Sequence, residues 1–233
     1  MKFIAYLYLV LSSLIRTDTY PVTLGNMQVN IIKQAGEGQT YVHLHENEVT
    51  ALAAARVFVD IEGGTLITLK HGGERNVVFH LKGVRYEFDP NRIFTDKGIK
   101  KTLKQFGPYS AAAHHEVKKL ANKITSLLPK GKKVIAVHNN RDYSIKEYLP
   151  KHALAKDIKA LYYPSKSNHR NFYFVTNSTE YYRLKKLKFN VALQARHATD
   201  DGSLSFYLAK NNYINIETAY GEVGTQINML YNV

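Results

Sequence analysis

The chain contains no cysteine. That absence removes disulfides, thiolate catalysis and cysteine metal sites together. A metal could then be held only by histidine and carboxylate, a donor set that suits zinc or another first-row ion in a catalytic site. An internal repeat, a low-complexity segment and a dividing linker are also missing, so the 233 residues are expected to form one domain, 17–233, after a short leader. At 45% hydrophobic and 22% charged, the composition excludes general disorder.

What is present is positive charge, +13 in net terms. Such a balance favours an anionic neighbour, for which anionic cell wall is one candidate. The lysines fall in short scattered runs with no nucleic-acid motif between them, so dedicated nucleic-acid binding is not expected. At the N-terminus, one lysine precedes an apolar stretch from Phe3 to Ile15, too short to span a bilayer and suited to the core of a signal peptide over residues 1–16. This predicts an exported protein, periplasmic or secreted, with no transmembrane span in the mature chain. If the segment is retained it reads as a buried first strand of a cytoplasmic protein.

Strand and helix patterns alternate along the chain. MQVNIIK (from Met27), Thr40–His45, LITLK, KKVIAVHNN, FYFVT, NVALQ and YINIET read as strands. Glu48–Phe58, Lys97–Gln105, Ala111–Leu128 and Ser178–Lys188 read as helices, and Arg75–Tyr86 alternates as far as Asp89–Pro90. The region after Asn140 reads as a long tyrosine-rich loop to Arg170. The expected fold class is α/β, with a mixed, mostly parallel central sheet flanked by helices.

Four motifs could carry chemistry. His45 and Glu48, three residues apart at a strand-to-helix turn, can converge on one metal, with His138 at a later strand end as a third ligand. His43 and Glu46 repeat the same spacing, and His43 shares strand parity with His45. Position favours His45 and Glu48, because Glu48 opens the helix while Glu46 falls inside the turn. Asn91 and Arg92 follow Asp89–Pro90 and can present an amide and a guanidinium to a carboxylate. Arg75 and Arg85 are the candidates for steadying a developing oxyanion. Glu217, in a tyrosine- and isoleucine-rich strand, is placed where burial would raise its pKa toward that of a general base. Asp200, Asp201 and Tyr207 precede it and could line the pocket.

In this order, HENE, DPNR, VHNN and IE resemble the zinc carboxypeptidase and aspartoacylase superfamily over about residues 40–220. HENE is similar to the HGNE form of the aspartoacylase and succinylglutamate desuccinylase branch, with Glu46 in place of the glycine. The resemblance implies a carboxypeptidase-like fold and one Zn²⁺ ion held by His45, Glu48 and His138. It implies that Asn91 and Arg92 bind a substrate carboxylate, that Asn139 belongs to the histidine-asparagine motif of the substrate site, and that Glu217 activates the zinc-bound water. Arg75, with a slight preference over Arg85, matches the oxyanion arginine, Tyr207 is the candidate pocket tyrosine, and His43 and Glu46 are left to orient ligands or tune the site. The activity implied is amide hydrolysis beside a substrate carboxylate. An exported carboxypeptidase trimming wall peptides is the leading expectation. A deacylase of small N-acyl amino acids and a non-catalytic peptide- or glycan-binding protein are the alternatives.

Overall fold

A computed structural model describes residues 16–164 and 166–233, so the apolar core of the expected signal peptide lies outside the described residues. The strands and helices, in chain order, are β1 (Arg16–Leu24), β2 (Met27–Ala35), β3 (Thr40–His43), α1 (Val49–Glu62), β4 (Thr65–Lys70), β5 (Val77–Leu81), β6 (Val84–Phe88), α2 (Asp96–Phe106), α3 (Ala111–Leu127), β7 (Val134–Asn140), β8 (Ile158–Tyr162), β9 (Phe172–Val175), α4 (Ser178–Lys186), β10 (Val191–Gln194), α5 (Leu204–Tyr207), β11 (Tyr213–Ala219) and α6 (Val223–Leu230). Among the described residues, nine strands form one sheet in the order β1-β2-β4-β3-β7-β11-β9-β10-β8, and β5 and β6 form a separate hairpin.

The sheet is mixed, but it is not mostly parallel as expected. Pairings β4–β3, β3–β7, β7–β11 and β9–β10 are parallel, while β1–β2, β2–β4, β11–β9 and β10–β8 are antiparallel. Hydrophobic pattern reports which faces of a strand are buried and carries no information on its direction. The antiparallel pairings include the tight β1–β2 turn, while the parallel β3–β4 and β9–β10 pairs are bridged by helices α1 and α4, as parallel crossovers require. Strand β8, inside the stretch read as loop, is short and half-buried, with too little apolar contrast to signal a strand.

Period-two alternation divides the core. On β7, Ala136 packs with Leu103, Val117 and Leu120 of α2 and α3 on one face. Ile135 and Val137 pack with Ala51, Ala54 and Phe58 of α1 and Met229 of α6 on the other. Burying the Leu, Val, Ile, Phe and Met side chains among these stabilises by about 1.5–3 kcal/mol each. Helices α2 and α3 begin at side-chain caps, Thr95 accepting from the Gly98 amide and Ser110 from that of Ala113. Helix α1 has no cap of its own, because the Glu48 side chain at its start is turned elsewhere.

Candidate metal centre

The site forms at the C-terminal ends of the parallel strands, where loops leave the sheet. β3 stops at His43, two residues earlier than its pattern predicts. The chain then turns through His45 to Glu48, whose amide donates to the His45 carbonyl at 3.0 Å. That turn aims the His45 ring and the Glu48 carboxylate at the end of β7, where parity places His138 on the same face as Ala136.

The three side chains are buried together. His45 Nδ1 lies 2.9 Å from Glu48 Oε1, and His138 Nδ1 lies 2.8 Å from Glu48 Oε2. The two Nδ1 atoms are 3.2 Å apart. One ligand atom from each residue fits within a 4.8 Å span, so this group could hold a metal ion. The other nitrogen of His45, Nε2, is 2.7 Å from Asp89 Oδ1. A carboxylate on the far nitrogen fixes the ring and its tautomer and leaves Nδ1 free to bind, a common support for a metal-ligating histidine. His43 Nε2 meets the Glu48 carbonyl at 3.0 Å, bracing the backbone of the same turn.

Charges in this cluster are strongly coupled. Burial opposes ionisation of Glu48, yet His45 and His138 hold it well below the usual carboxylate range. Burial likewise disfavours a charged His45, but Glu48 and Asp89 override it and raise its pKa to about 9. Asp89 is lowered despite burial by His45, Arg92 and Arg75. His43, with less compensation, is pushed down to about 4 by burial.

Glu217 stands beside His138, because β11 and β7 run parallel with these two residues in register. Its Oε2 accepts from Asn140 Nδ2 at 3.1 Å and its Oε1 from Asn215 Nδ2 at 3.2 Å. Burial pushes its carboxyl up; His138 and the two amides oppose that shift, and Glu48 adds to it.

The His45–Glu48–His138 group and Glu217 open into a cleft of about 790 Å³. Arg75 and Arg92 both line it. Arg75 donates to Glu48 Oε1 at 2.5 Å and lies 3.6 Å from Asp89 Oδ2. Asn91 Oδ1 accepts from the Leu204 amide at 3.1 Å, and Arg92 lies 3.5 Å from Asp201 Oδ2. The loop carrying Asp201 reaches Arg92 because Gly98 and Gly202 touch: a Cβ on Gly98 would stand 2.3 Å from the Gly202 Cα. Asp200 accepts from the Thr95 hydroxyl at 2.8 Å and serves that loop's geometry.

Three expected site residues sit differently from the sequence reading. Arg85 is half-exposed on the hairpin, pairs with Glu87 at 2.6 Å and does not line the cleft. Tyr207 is 49% exposed and faces Phe94, because the Ser203 cap starts α5 so that Phe206 turns into the cleft and the next residue turns away. Asn139 borders the cleft, but its Oδ1 accepts from the Ala51 amide at 3.1 Å. It supplies from β7 the cap that α1 lacks.

Sequence reasoning missed Asp89 as the partner of His45, and Asn140 and Asn215 as the partners of Glu217. It also missed Tyr143 and Tyr148, which line the cleft with their hydroxyls hydrogen-bonded to each other. Strand parity was the available signal for the asparagines, since each lies two residues from a residue already singled out. No helix among the described residues is long and apolar enough to cross a membrane. Comparison with family models, with curated proteins and with solved structures gives no match, so any reading of this centre rests on its residues and geometry.

Proposed function

We propose that the chain is a zinc-dependent amide hydrolase acting on a substrate that carries a carboxylate beside the scissile bond. The observation that carries this reading is the buried convergence of His45 Nδ1, His138 Nδ1 and both Glu48 oxygens, with Asp89 fixing the far side of His45. Two histidines and a glutamate with an open cleft in front form a donor set suited to catalytic zinc. A metal held there would supply Lewis acidity, polarising a carbonyl and making water more acidic.

The rest of the chemistry belongs to the chain. Glu217, buried and pushed up in pKa, takes a proton from the attacking water and passes it to the leaving nitrogen. Asn140 and Asn215 keep both of its oxygens oriented in the meantime. Arg75, at the cleft edge, faces the position where negative charge develops on the carbonyl oxygen. Asn91, its carbonyl already engaged, offers an amide N–H, and Arg92 offers a guanidinium, to a substrate carboxylate. Tyr143 and Tyr148 form one wall of the cleft.

A peptide substrate is favoured over a small N-acyl amino acid by the cleft, which extends past the metal group to a rim where the Arg141 guanidinium stacks 3.8 Å from the Tyr220 ring centre. A carboxypeptidase-like enzyme, exported through the apolar N-terminus and drawn to anionic wall by its basic surface, is the concrete form of the proposal. The test is metal content in protein purified without chelator, beside a His138→Ala variant, followed by release of C-terminal residues from peptides, including wall-derived ones. Near-stoichiometric zinc, lost in the variant together with activity, is the expected result. Absence of metal even after zinc is offered would overturn the hydrolase reading and favour a binding module.

A further inference from the structure

The Glu46 carboxylate lies outside the metal group, yet it is among the most heavily hydrogen-bonded side chains near the cleft. Its Oε2 accepts from three consecutive backbone amides: His71 at 2.5 Å, Gly72 at 2.9 Å and Gly73 at 2.9 Å. Successive N–H groups converge on one oxygen only when the backbone curls into an anion-binding nest. Here the curl needs φ of +123° at Gly72 and +86° at Gly73. A Cβ at either glycine would meet nothing within 4 Å, so what these positions require is the backbone conformation and not the space.

The nest is two residues from Arg75. On the other side of Arg75, Asn76 Nδ2 donates to Glu87 Oε1 at 2.8 Å, and Glu87 is itself held by Arg85. The segment from His71 to Asn76 is therefore pinned at both ends, to the β3–α1 turn through Glu46 and to the hairpin through Glu87. Arg75, half-exposed and long, is the one group of that segment that reaches Glu48 and Asp89. A flexible arginine on an unpinned loop would lose entropy each time it entered the cleft, whereas a pinned loop has lost it already.

We infer that Glu46 is a positioning residue: by clasping the His71–Gly73 backbone from the same turn that carries His45 and Glu48, it sets Arg75 at the metal centre. Ligand turn and arginine loop thus become one rigid unit. The role assigned to Arg75 in turnover rests on the hydrolase reading above; the clasp itself does not.

The experiment uses the full chain with Glu46→Gln, and Gly72→Ala as a second way to spoil the nest. Hydrogen exchange of the 71–76 amides and the rate at which phenylglyoxal modifies Arg75 are read by mass spectrometry. Losing a charge-assisted acceptor is expected to speed exchange in 71–76 by about tenfold, with β3, β7 and β11 unchanged. Arg75 modification is expected to rise severalfold in both variants. On a peptide substrate, kcat is expected to fall about tenfold with KM little changed. The Glu46→Gln/Arg75→Ala double variant is expected to be no worse than Arg75→Ala alone. Wild-type exchange in 71–76, wild-type Arg75 modification, or additive losses in the double variant would each overturn the inference. If the unaltered protein cuts no such peptide, the hydrolase reading fails separately, and exchange and modification rates alone decide the clasp.

Discussion

The β3–α1 turn and the middle of β11 each bury a glutamate at the same cleft, and they offer its charge opposite receptions. Glu48 meets two imidazoles and the Arg75 guanidinium, all of which favour its negative form. Glu217 meets two neutral amides and lies in the opposing fields of His138 and Glu48, so desolvation dominates and its carboxyl is pushed up. One carboxylate is held in its charged form and the other is pushed toward its protonated form; in the proposed hydrolase the first would hold the cation and the second would exchange the proton. Neighbouring titratable groups whose environments drive their pKa values apart divide the labour of acid–base chemistry in this way.

The same substitution at the two positions should break that comparison most sharply. Glu48→Gln removes the carboxylate shared by His45, His138 and Arg75 and leaves Asp89 as the remaining anion beside His45 and Arg75, so metal-free stability at pH 7 is expected to fall by about 3–5 kcal/mol, measured by denaturant unfolding. Metal content should fall to background with it. Glu217→Gln removes a charge that burial disfavours. A carboxyl raised in the folded state contributes stability below its unfolded pKa near 4.5 and loses it as pH rises, so at pH 7 the metal-free variant should be at least as stable as the parent. Its metal content should be unchanged while turnover falls by about 10²–10⁴-fold. Destabilisation at 217 comparable to that at 48 would erase the distinction.

A smaller effect isolates the support behind the first glutamate. Asp89→Asn keeps the shape of the His45 contact but removes the charge, and zinc affinity by competition titration should weaken about 10–100-fold. The pH dependence sharpens the same point. With the His45 pKa raised to about 9, its stabilising charge is fully present below pH 6.5 and lost as pH rises through 9 in the metal-free protein. Metal must displace that proton, so apparent zinc affinity should climb by up to about tenfold per pH unit between pH 7 and 9. A flat profile there would show that His45 is neutral before metal binds.

The group that could hold a metal was legible because its residues lie at points that pattern can locate. His45 and Glu48 straddle a visible strand-to-helix change, and His138 follows the apolar run Val134–Val137 near the end of β7. The partners were harder to see. Asp89 was visible as a turn residue, but its contact with His45 spans 44 residues and depends on how the hairpin folds over the sheet. Asn140 meets Glu217 only because β7 and β11 pair in one register, whereas Asn215 reaches it from the same face of β11. Tyr207 was placed in the cleft and Tyr143 and Tyr148 were not, because in short helices and irregular segments the direction of a side chain is set by caps and neighbours.

By itself, the sequence determined that any metal here must be held by histidine and carboxylate, that the chain alternates strand and helix, and which histidines and glutamates stand at strand ends. These properties follow from composition and local period, which act over a few residues. The tertiary structure alone decided the orientation of the strands, the choice of Arg75 over Arg85 at the cleft and the opposite charge environments of Glu48 and Glu217. Each of these depends on groups brought together from distant parts of the chain, where burial and the field of neighbours outweigh what any residue prefers alone.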